Sequence, residues 1–220
     1  MAEIPLIISN FMIGYTTLIS IINPFGLAFI FYDMTRQLND AQRQAVSLRI
    51  AIYSFSVLIV ASLLGSFILN FFGISLAALR IAGGLAVAFA GWQLLNKPDP
   101  DTNEIAAPQR SASAVAAMAF YPLTMPLTTG PGSVAAAIAL VVNRRNVEER
   151  IVSVILEAIA IGLAVSLTIY VCYRWSGWLS EHLGIAATRI FTRVAAFLLL
   201  CVGVQIIITG VVDVIRSASA

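Results

Sequence analysis

Six long apolar segments run through this chain and limit the folds open to it more than any other feature. About 20 helical residues cross a bilayer core about 30 Å thick, and every segment is at least that long. The sequence therefore predicts an all-α membrane protein with six transmembrane helices. The predicted spans are Leu6–Phe31, Ile50–Phe72, Ile74–Leu95, Ala114–Val142, Ile151–Tyr173 and Ile190–Val212.

Composition supports the same class. Hydrophobic residues make up 60% of the 220 positions and charged residues 11%, and so few charges cannot cover a soluble domain of this size. Glu3 stands where a signal peptide would carry Lys or Arg, so we expect the first span to remain in the mature protein. With six spans, one side of the membrane receives more Lys and Arg than the other, which predicts that both termini lie outside the cytoplasm.

The sequence lacks the signals of several functional classes. The net charge is only +2 and no basic cluster stands out, so nucleic acid is not expected as a partner. Cys172 and Cys201 form no CxxC pair. The sequence has no nucleotide-binding loop, no HExxH, no nucleophile elbow and no haem or iron–sulfur spacing. We therefore expect no enzyme activity, no cofactor and no metal.

The six spans divide into two halves. The polar segment 96–113 separates a first three-helix repeat, residues 1–95, from a second, residues 114–220. Three matched positions follow one another in each half: Gly73, Arg80 and Gln93, then Gly184, Arg193 and Gln205. A repeat with an odd number of spans enters the membrane from opposite sides, so the sequence predicts two inverted three-helix repeats. Small residues of the third span, Gly83, Gly84, Ala88 and Gly91, predict close helix packing.

Predicted spans 1 and 4 are interrupted near the middle of the bilayer. Span 1 contains INPFG and span 4 contains TMPLTTGPGSV. Proline removes a backbone donor and disturbs the preceding turn, and irregular backbone in a membrane is tolerated where it faces protein or a polar cavity. A single Pro-Gly kink has a purely structural explanation, but two breaks at matching places favour a binding site.

The helix that resumes after each break begins with amides that lack a helical carbonyl partner. These are the amides of Phe25, Gly26 and Leu27 after the first break, and of Gly132, Ser133 and Val134 after the second. Such amides favour a carboxylate, and glycine lets a ligand approach the backbone. We expect Gly26 and Gly132 to flank one cavity. The candidate substrate-binding residues are Asn23, Pro24, Gly26, Thr128, Thr129, Gly130, Pro131, Gly132 and Ser133.

Ionisable and aromatic residues within the spans suggest further roles. Glu157 lies inside the fifth span and is a candidate proton carrier, with an interfacial partner of Arg80 or Arg150 as the alternative. Arg80 and Arg193 lie within snorkelling reach of the interface. The aromatic residues Trp92, Tyr121, Tyr173, Trp175 and Trp178 are predicted to form an interfacial belt.

Three stretches resemble the MarC family of bacterial inner-membrane proteins: INPFGLAFIFYDMT, RIAGGLAVAFAGWQLL and, most specifically, AFYPLTMPLTTGPGSVAAAIAL. The resemblance covers essentially the whole chain. It implies a six-span inner-membrane protein related to LysE-type amino-acid exporters, with one branch that transports small neutral amino acids. Many members carry a second polar residue after the NP motif, where this chain has Leu27.

The leading hypothesis is a secondary transporter of small neutral amino acids or similar metabolites, bound between interrupted helices 1 and 4. The substrate would move with a proton or a sodium ion, through two halves that rock about the site. The alternative is a membrane structural or interaction protein whose breaks are sealed by side-chain packing. The lipid bilayer is the expected surrounding, and assembly into a homo-oligomer stays open.

Overall fold

The computed structural model describes residues 3–96, 117–145 and 151–218, and those ranges contain helices and no strand. Nearly all of the predicted linker 96–113, and the first residues of predicted span 4, lie outside the described residues. The helices are α1 Glu3–Ile22, α2 Pro24–Met34, α3 Asp40–Phe71, α4 Leu76–Leu95, α5 Ala119–Thr128, α6 Pro131–Arg145, α7 Ile151–Arg174 and α8 Ser176–Ala218.

Within the described ranges, five helical stretches are long and apolar enough to cross a membrane, and a sixth crossing arises if the bent pair α5–α6 is counted as one span. α1 and α2 together make the first crossing, Ile8–Met34. α5 and α6 meet at an angle of 62°. With the bent pair counted as one span, the number of crossings agrees with the six predicted, and both predicted interruptions are present.

Two helices begin earlier than predicted. α3 starts at Asp40 rather than Ile50 because Asn39 and Gln42 form a reciprocal capping box, in which each side chain accepts from the other residue's backbone N–H. α8 consists of two helical parts joined by a kink at Gly184, where φ is 75°. Its membrane-crossing part begins at Ala187, three residues before the predicted Ile190. His182 lies in the first part.

Small residues bring α4 and α8 into backbone contact, which confirms the predicted role of the glycines of the third span. A Cβ added at Gly84 would lie 2.7 Å from the carbonyl oxygen of Gly203, and one added at Gly91 would lie 2.6 Å from the amide nitrogen of Leu200. As α4 advances, its partners on α8 step backwards along the chain. The two helices therefore run antiparallel.

The protein interior is built where α2, α3, α5 and α7 meet. Its largest fully buried side chains include Phe31, Ile50, Leu123 and Tyr173. The opposite faces of the same helices expose large apolar side chains, such as Phe67 of α3, which is 71% exposed. Apolar residues on both faces suit helices that are surrounded by acyl chains.

Candidate functional site

The first break is a single residue, Asn23, with left-handed backbone angles of φ 47° and ψ 60°. Asparagine tolerates this conformation better than most residues, and Pro24 suits the first position of the helix that follows. Gly26 N–H donates to Asn23 Oδ1 at 3.3 Å, and Leu27 N–H donates to Asn23 O at 3.0 Å. The expectation that these two amides stand without a partner is therefore wrong, because Asn23 caps α2 itself.

The second break lies at Thr129 and Gly130, between α5 and α6. α5 is a wide helix in which Tyr121 and Met125, each followed by proline, have extended backbone angles, as residues before proline prefer. Thr129 N–H reaches back to Thr124 O at 2.9 Å. α5 ends at Thr128, within the stretch where the sequence predicted a break.

α6 begins directly after this break. Val134 N–H donates to Gly130 O at 3.1 Å, so the expectation that its amide is free is wrong. Ser133 Oγ also donates to Gly130 O, at 2.8 Å. The amides of Gly132 and Ser133 are the first two of α6, for which an α-helix provides no internal acceptor.

The threonine hydroxyls of the second break are bound to neighbouring helices. Thr128 Oγ1 lies 2.8 Å from Tyr173 Oη of α7, and Thr129 Oγ1 lies 2.9 Å from Ser54 Oγ of α3. All four side chains are buried. In this conformation these hydroxyls hold the break in place, whereas the sequence assigned Thr128 and Thr129 to a substrate.

Tyr173 has a different role from the one predicted. It is fully buried, and its ring stacks on Phe31 of α2 with centroids 4.6 Å apart. The prediction that Tyr173 belongs to an interfacial belt is therefore wrong. Trp92, Tyr121, Trp175 and Trp178 are each at least 55% exposed, as members of such a belt would be.

A cavity of about 250 Å³ lies at the start of α6. It is bounded by α1 just before the first break, by α6 just after the second, and by α4 and α8. Gly132 lines it and Gly26 does not, so only one of the two predicted glycines reaches the cavity. The lining residues are Thr17, Ile21, Arg80, Gly132, Ala136, Ala139, Leu140, Ile206 and Thr209.

α4 contacts the α6 end of this cavity through Gly83. A Cβ added at Gly83 would lie 2.8 Å from the carbonyl carbon of Pro131 and 3.0 Å from the amide nitrogen of Gly132. Arg80 precedes Gly83 by three residues, or about 4.5 Å along the helix axis. Arg80 and Gly132 line the same cavity.

Arg80 forms an ion pair with Asp213 of α8, and the two side chains are 19% and 32% exposed. Sequence reasoning placed Arg80 at the interface and missed this partner. Asp213 lies one residue beyond the predicted end of span 6, so it was not considered as an intramembrane charge. An acidic residue near the end of span 6 and a basic one near the start of span 3 were the available signal, since antiparallel helices bring those two ends together.

Glu157 lines a second, much smaller cavity of about 20 Å³, with Leu18, Leu58, Ser62 and Leu140 among its neighbours. That volume is close to the space one water molecule needs. Arg80, one of the two partners considered for Glu157, forms an ion pair with Asp213. Arg150, the other predicted partner, lies outside the described residues. Leu140 lines both cavities.

Comparison with known proteins gives a consistent result. Residues 8–215 match the MarC family, described as integral membrane proteins. The inner membrane protein MarC of Salmonella typhimurium is 35% identical over 210 residues, which cover 93% of this chain and 95% of that protein. The MarC protein of Citrobacter koseri has the same identity and coverage, and that of Escherichia coli O139:H28 is 32% identical over 213 residues, again with 93% and 95% covered. No solved structure gives a significant match.

Proposed function

The chain belongs to the MarC family of integral membrane proteins, and on that premise we propose that it is a secondary transporter of small neutral amino acids or similar small metabolites. Its relatives carry the name inner membrane protein. We place this chain in the same bacterial membrane as a multi-pass protein, with both termini on the periplasmic side. The bilayer is its surrounding, and the substrate is its small-molecule partner.

One observation carries the proposal: the cavity at Gly132 is bounded by both interrupted spans. Its volume of about 250 Å³ is below the roughly 300–1,000 Å³ of sites for drug-sized ligands. A small metabolite is therefore the ligand class that fits. Thr17 and Thr209 offer hydroxyls to a polar ligand, while Ile21, Ala136 and Ile206 offer apolar surface.

The ligand carboxylate is assigned to the start of α6. The amides of Gly132 and Ser133 and the positive end of the helix dipole favour a negative group there. The first break contributes to the shape of the cavity but does not offer the Gly26 amide as a donor, because Asn23 Oδ1 already accepts from that amide. In the transport cycle, the Thr128 and Thr129 hydroxyls become available only if their bonds to Tyr173 and Ser54 open.

The transport movement follows from two inverted halves. The antiparallel crossing of α4 with α8 is what an inverted repeat requires of its third and sixth spans. Rocking of one half against the other would expose the cavity to each side of the membrane in turn. A proton on Glu157 is the proposed coupling ion, since its small cavity adjoins the larger one at Leu140, which lines both.

A non-transporting structural role is the second candidate, favoured by one observation. The buried bonds Thr128–Tyr173 and Thr129–Ser54 seal the second break within the protein. Flux of radiolabelled alanine and glycine into proteoliposomes separates the two functions. Uptake above that of empty liposomes supports transport, and rates equal to empty liposomes across a panel of small amino acids contradict it.

A further inference from the structure

Arg80 is the charged residue among the described residues that line the cavity, and the proposed function leaves it and its ion-pair partner Asp213 unused. Arg80 lines the cavity directly. Asp213 follows Thr209, another lining residue, by four positions on α8, and residues four apart share a helix face. Arg80 therefore brings a cation to a cavity lining that is otherwise apolar or hydroxyl-bearing, and it holds the Asp213 carboxylate at its side.

We infer that this pair selects the ligand by charge: it admits a small zwitterion and rejects ligands that carry a single net charge. The inference rests on the proposed function and assigns the recognition residues of the same cavity. A zwitterion inserted between the two side chains exchanges one ion pair for two. Its carboxylate, in the part of the cavity that Gly132 and Arg80 both line, meets the Arg80 guanidinium in addition to the α6 amides, and its ammonium group meets the Asp213 carboxylate.

Ligands with one charge lack this compensation. A monoanion bound at Arg80 leaves Asp213 without its guanidinium, and a monocation bound at Asp213 leaves Arg80 without its carboxylate. An unpaired charge away from bulk water is strongly unfavourable. Both side chains keep some exposure, so solvent screening reduces the penalty relative to a fully buried pair.

The same geometry links binding to movement. Arg80 belongs to the first half of the chain and Asp213 to the second, and their side chains are in direct contact. A ligand between them must separate these two side chains. A ligand shifts an equilibrium between two conformations only by binding them differently, and a zwitterion makes its two charge contacts only in the separated arrangement.

The test compares alanine with propionate, which lacks the ammonium group, and with ethylamine, which lacks the carboxylate. Ligand-dependent thermal stabilisation of the full chain in detergent reports binding. For the unaltered protein, we expect alanine to act at concentrations roughly tenfold lower than either single-charge ligand, the effect of about one charge-assisted contact. Equal stabilisation by all three ligands, or none by any of them, overturns the inference.

Two single variants test the residues. Asp213→Asn should lose the alanine preference and gain propionate binding by roughly tenfold, since Arg80 is then left for an anion. Arg80→Gln should shift the preference towards ethylamine by the same reasoning. An unchanged order of ligands in both variants contradicts the assignment.

Control variants show whether a change in ligand order is specific to the Arg80–Asp213 pair. Asp40→Asn breaks another arginine–aspartate pair, with Arg43 at 2.7 Å, that does not line the cavity, and it should leave the ligand order unchanged. The double variant Arg80→Gln/Asp213→Asn removes both charges together and should fold while discriminating little among the three ligands. If it still prefers alanine, the ion pair is not the filter.

Flux measured on the same proteins separates this inference from the proposed function. Charge-dependent binding without flux in the unaltered protein retains the ion-pair filter and removes the transport function. Alanine flux in the unaltered protein, together with an unchanged ligand order in both single variants, retains the transport function and removes the ion-pair filter.

Discussion

Tyr173 donates its hydroxyl hydrogen to Thr128. The single hydroxyl hydrogen of Thr128 is directed to Leu123 O at 2.6 Å, so Tyr173 supplies the hydrogen in the 2.8 Å bond between the two side chains. The ring of Tyr173 stacks on the ring of Phe31 in α2. One buried tyrosine therefore connects the helix after the first break with the helix before the second.

Tyr173→Phe should keep the stack on Phe31 and lose the bond to Thr128. We expect the free energy of unfolding in detergent to fall by about 1 kcal/mol, the usual contribution of a buried hydrogen bond. Tyr170→Phe is the matched control, because its hydroxyl accepts from the exposed side chain of Arg174. Equal stability losses in the two variants would show that the Thr128 bond contributes nothing specific.

Gly132→Ala should reduce alanine flux and be rescued by a change at a second residue. The added Cβ would lie 2.5 Å from Cδ1 of Ile206, so it pushes that side chain within the cavity. Ile206→Val deletes this carbon and should restore flux in the double variant. Overpacking of this kind costs about 1–3 kcal/mol. Additive losses, with no rescue in the double variant, would contradict the contact.

Gly203→Ala should destabilise the α4–α8 crossing. The new Cβ would collide with the backbone nitrogen of Ala88, and backbone yields less readily than the end of a side chain. We expect a loss of about 1–3 kcal/mol in unfolding free energy, seen as a lower melting temperature. Gly162→Ala serves as the control, since its Cβ would lie 3.2 Å from the flexible tip of Ile59 and should change the melting temperature little.

Asn23→Val should disturb the first break more than Asn23→Gly. Valine is poorly tolerated at φ 47° and cannot accept from Gly26, so we expect a loss of about 2 kcal/mol in unfolding free energy. Glycine keeps the backbone conformation and loses only the cap, which costs a few tenths of a kcal/mol. Thermal unfolding of the two variants side by side checks the order, and a more stable valine variant would refute it.

Glu157→Gln should uncouple flux from a proton gradient. The substitution keeps the size of the side chain and removes its ability to carry a proton, so alanine uptake driven by an imposed pH gradient should fall to the rate without a gradient. Glu181→Gln changes an exposed carboxylate and should leave the response intact. A full gradient response in Glu157→Gln would move the coupling role to another residue or ion.

Features that depend on residues close together in the sequence were predictable. The spans follow from uninterrupted apolar length, and the two breaks follow from Asn23-Pro24 and from the run of proline and glycine between Pro126 and Gly132. The earlier start of α3 was also readable, because Asn39 and Gln42 have the spacing of a capping box. Hydropathy alone missed it, since the first turns of α3 are polar.

Features that depend on packing between distant helices were not predictable. Thr128 and Tyr173 are 45 residues apart, and Arg80 and Asp213 are 133 apart, so neither pairing has a local signal. The repeat aligned Arg80 with Arg193 but said nothing of Asp213. For the same reason, the sequence selected residues around both breaks, whereas the cavity is completed by α4 and α8.

The glycine crossing of α4 and α8 has a mechanical consequence. Close contacts recur along the whole crossing, where Gly91 lies against Leu200, Gly84 against Gly203, and Gly210 against Ala77. Contacts spread over this length oppose any tilt of one helix against the other. A movement of one half of the chain against the other would therefore take place around the α4–α8 pair, whose two helices stay together.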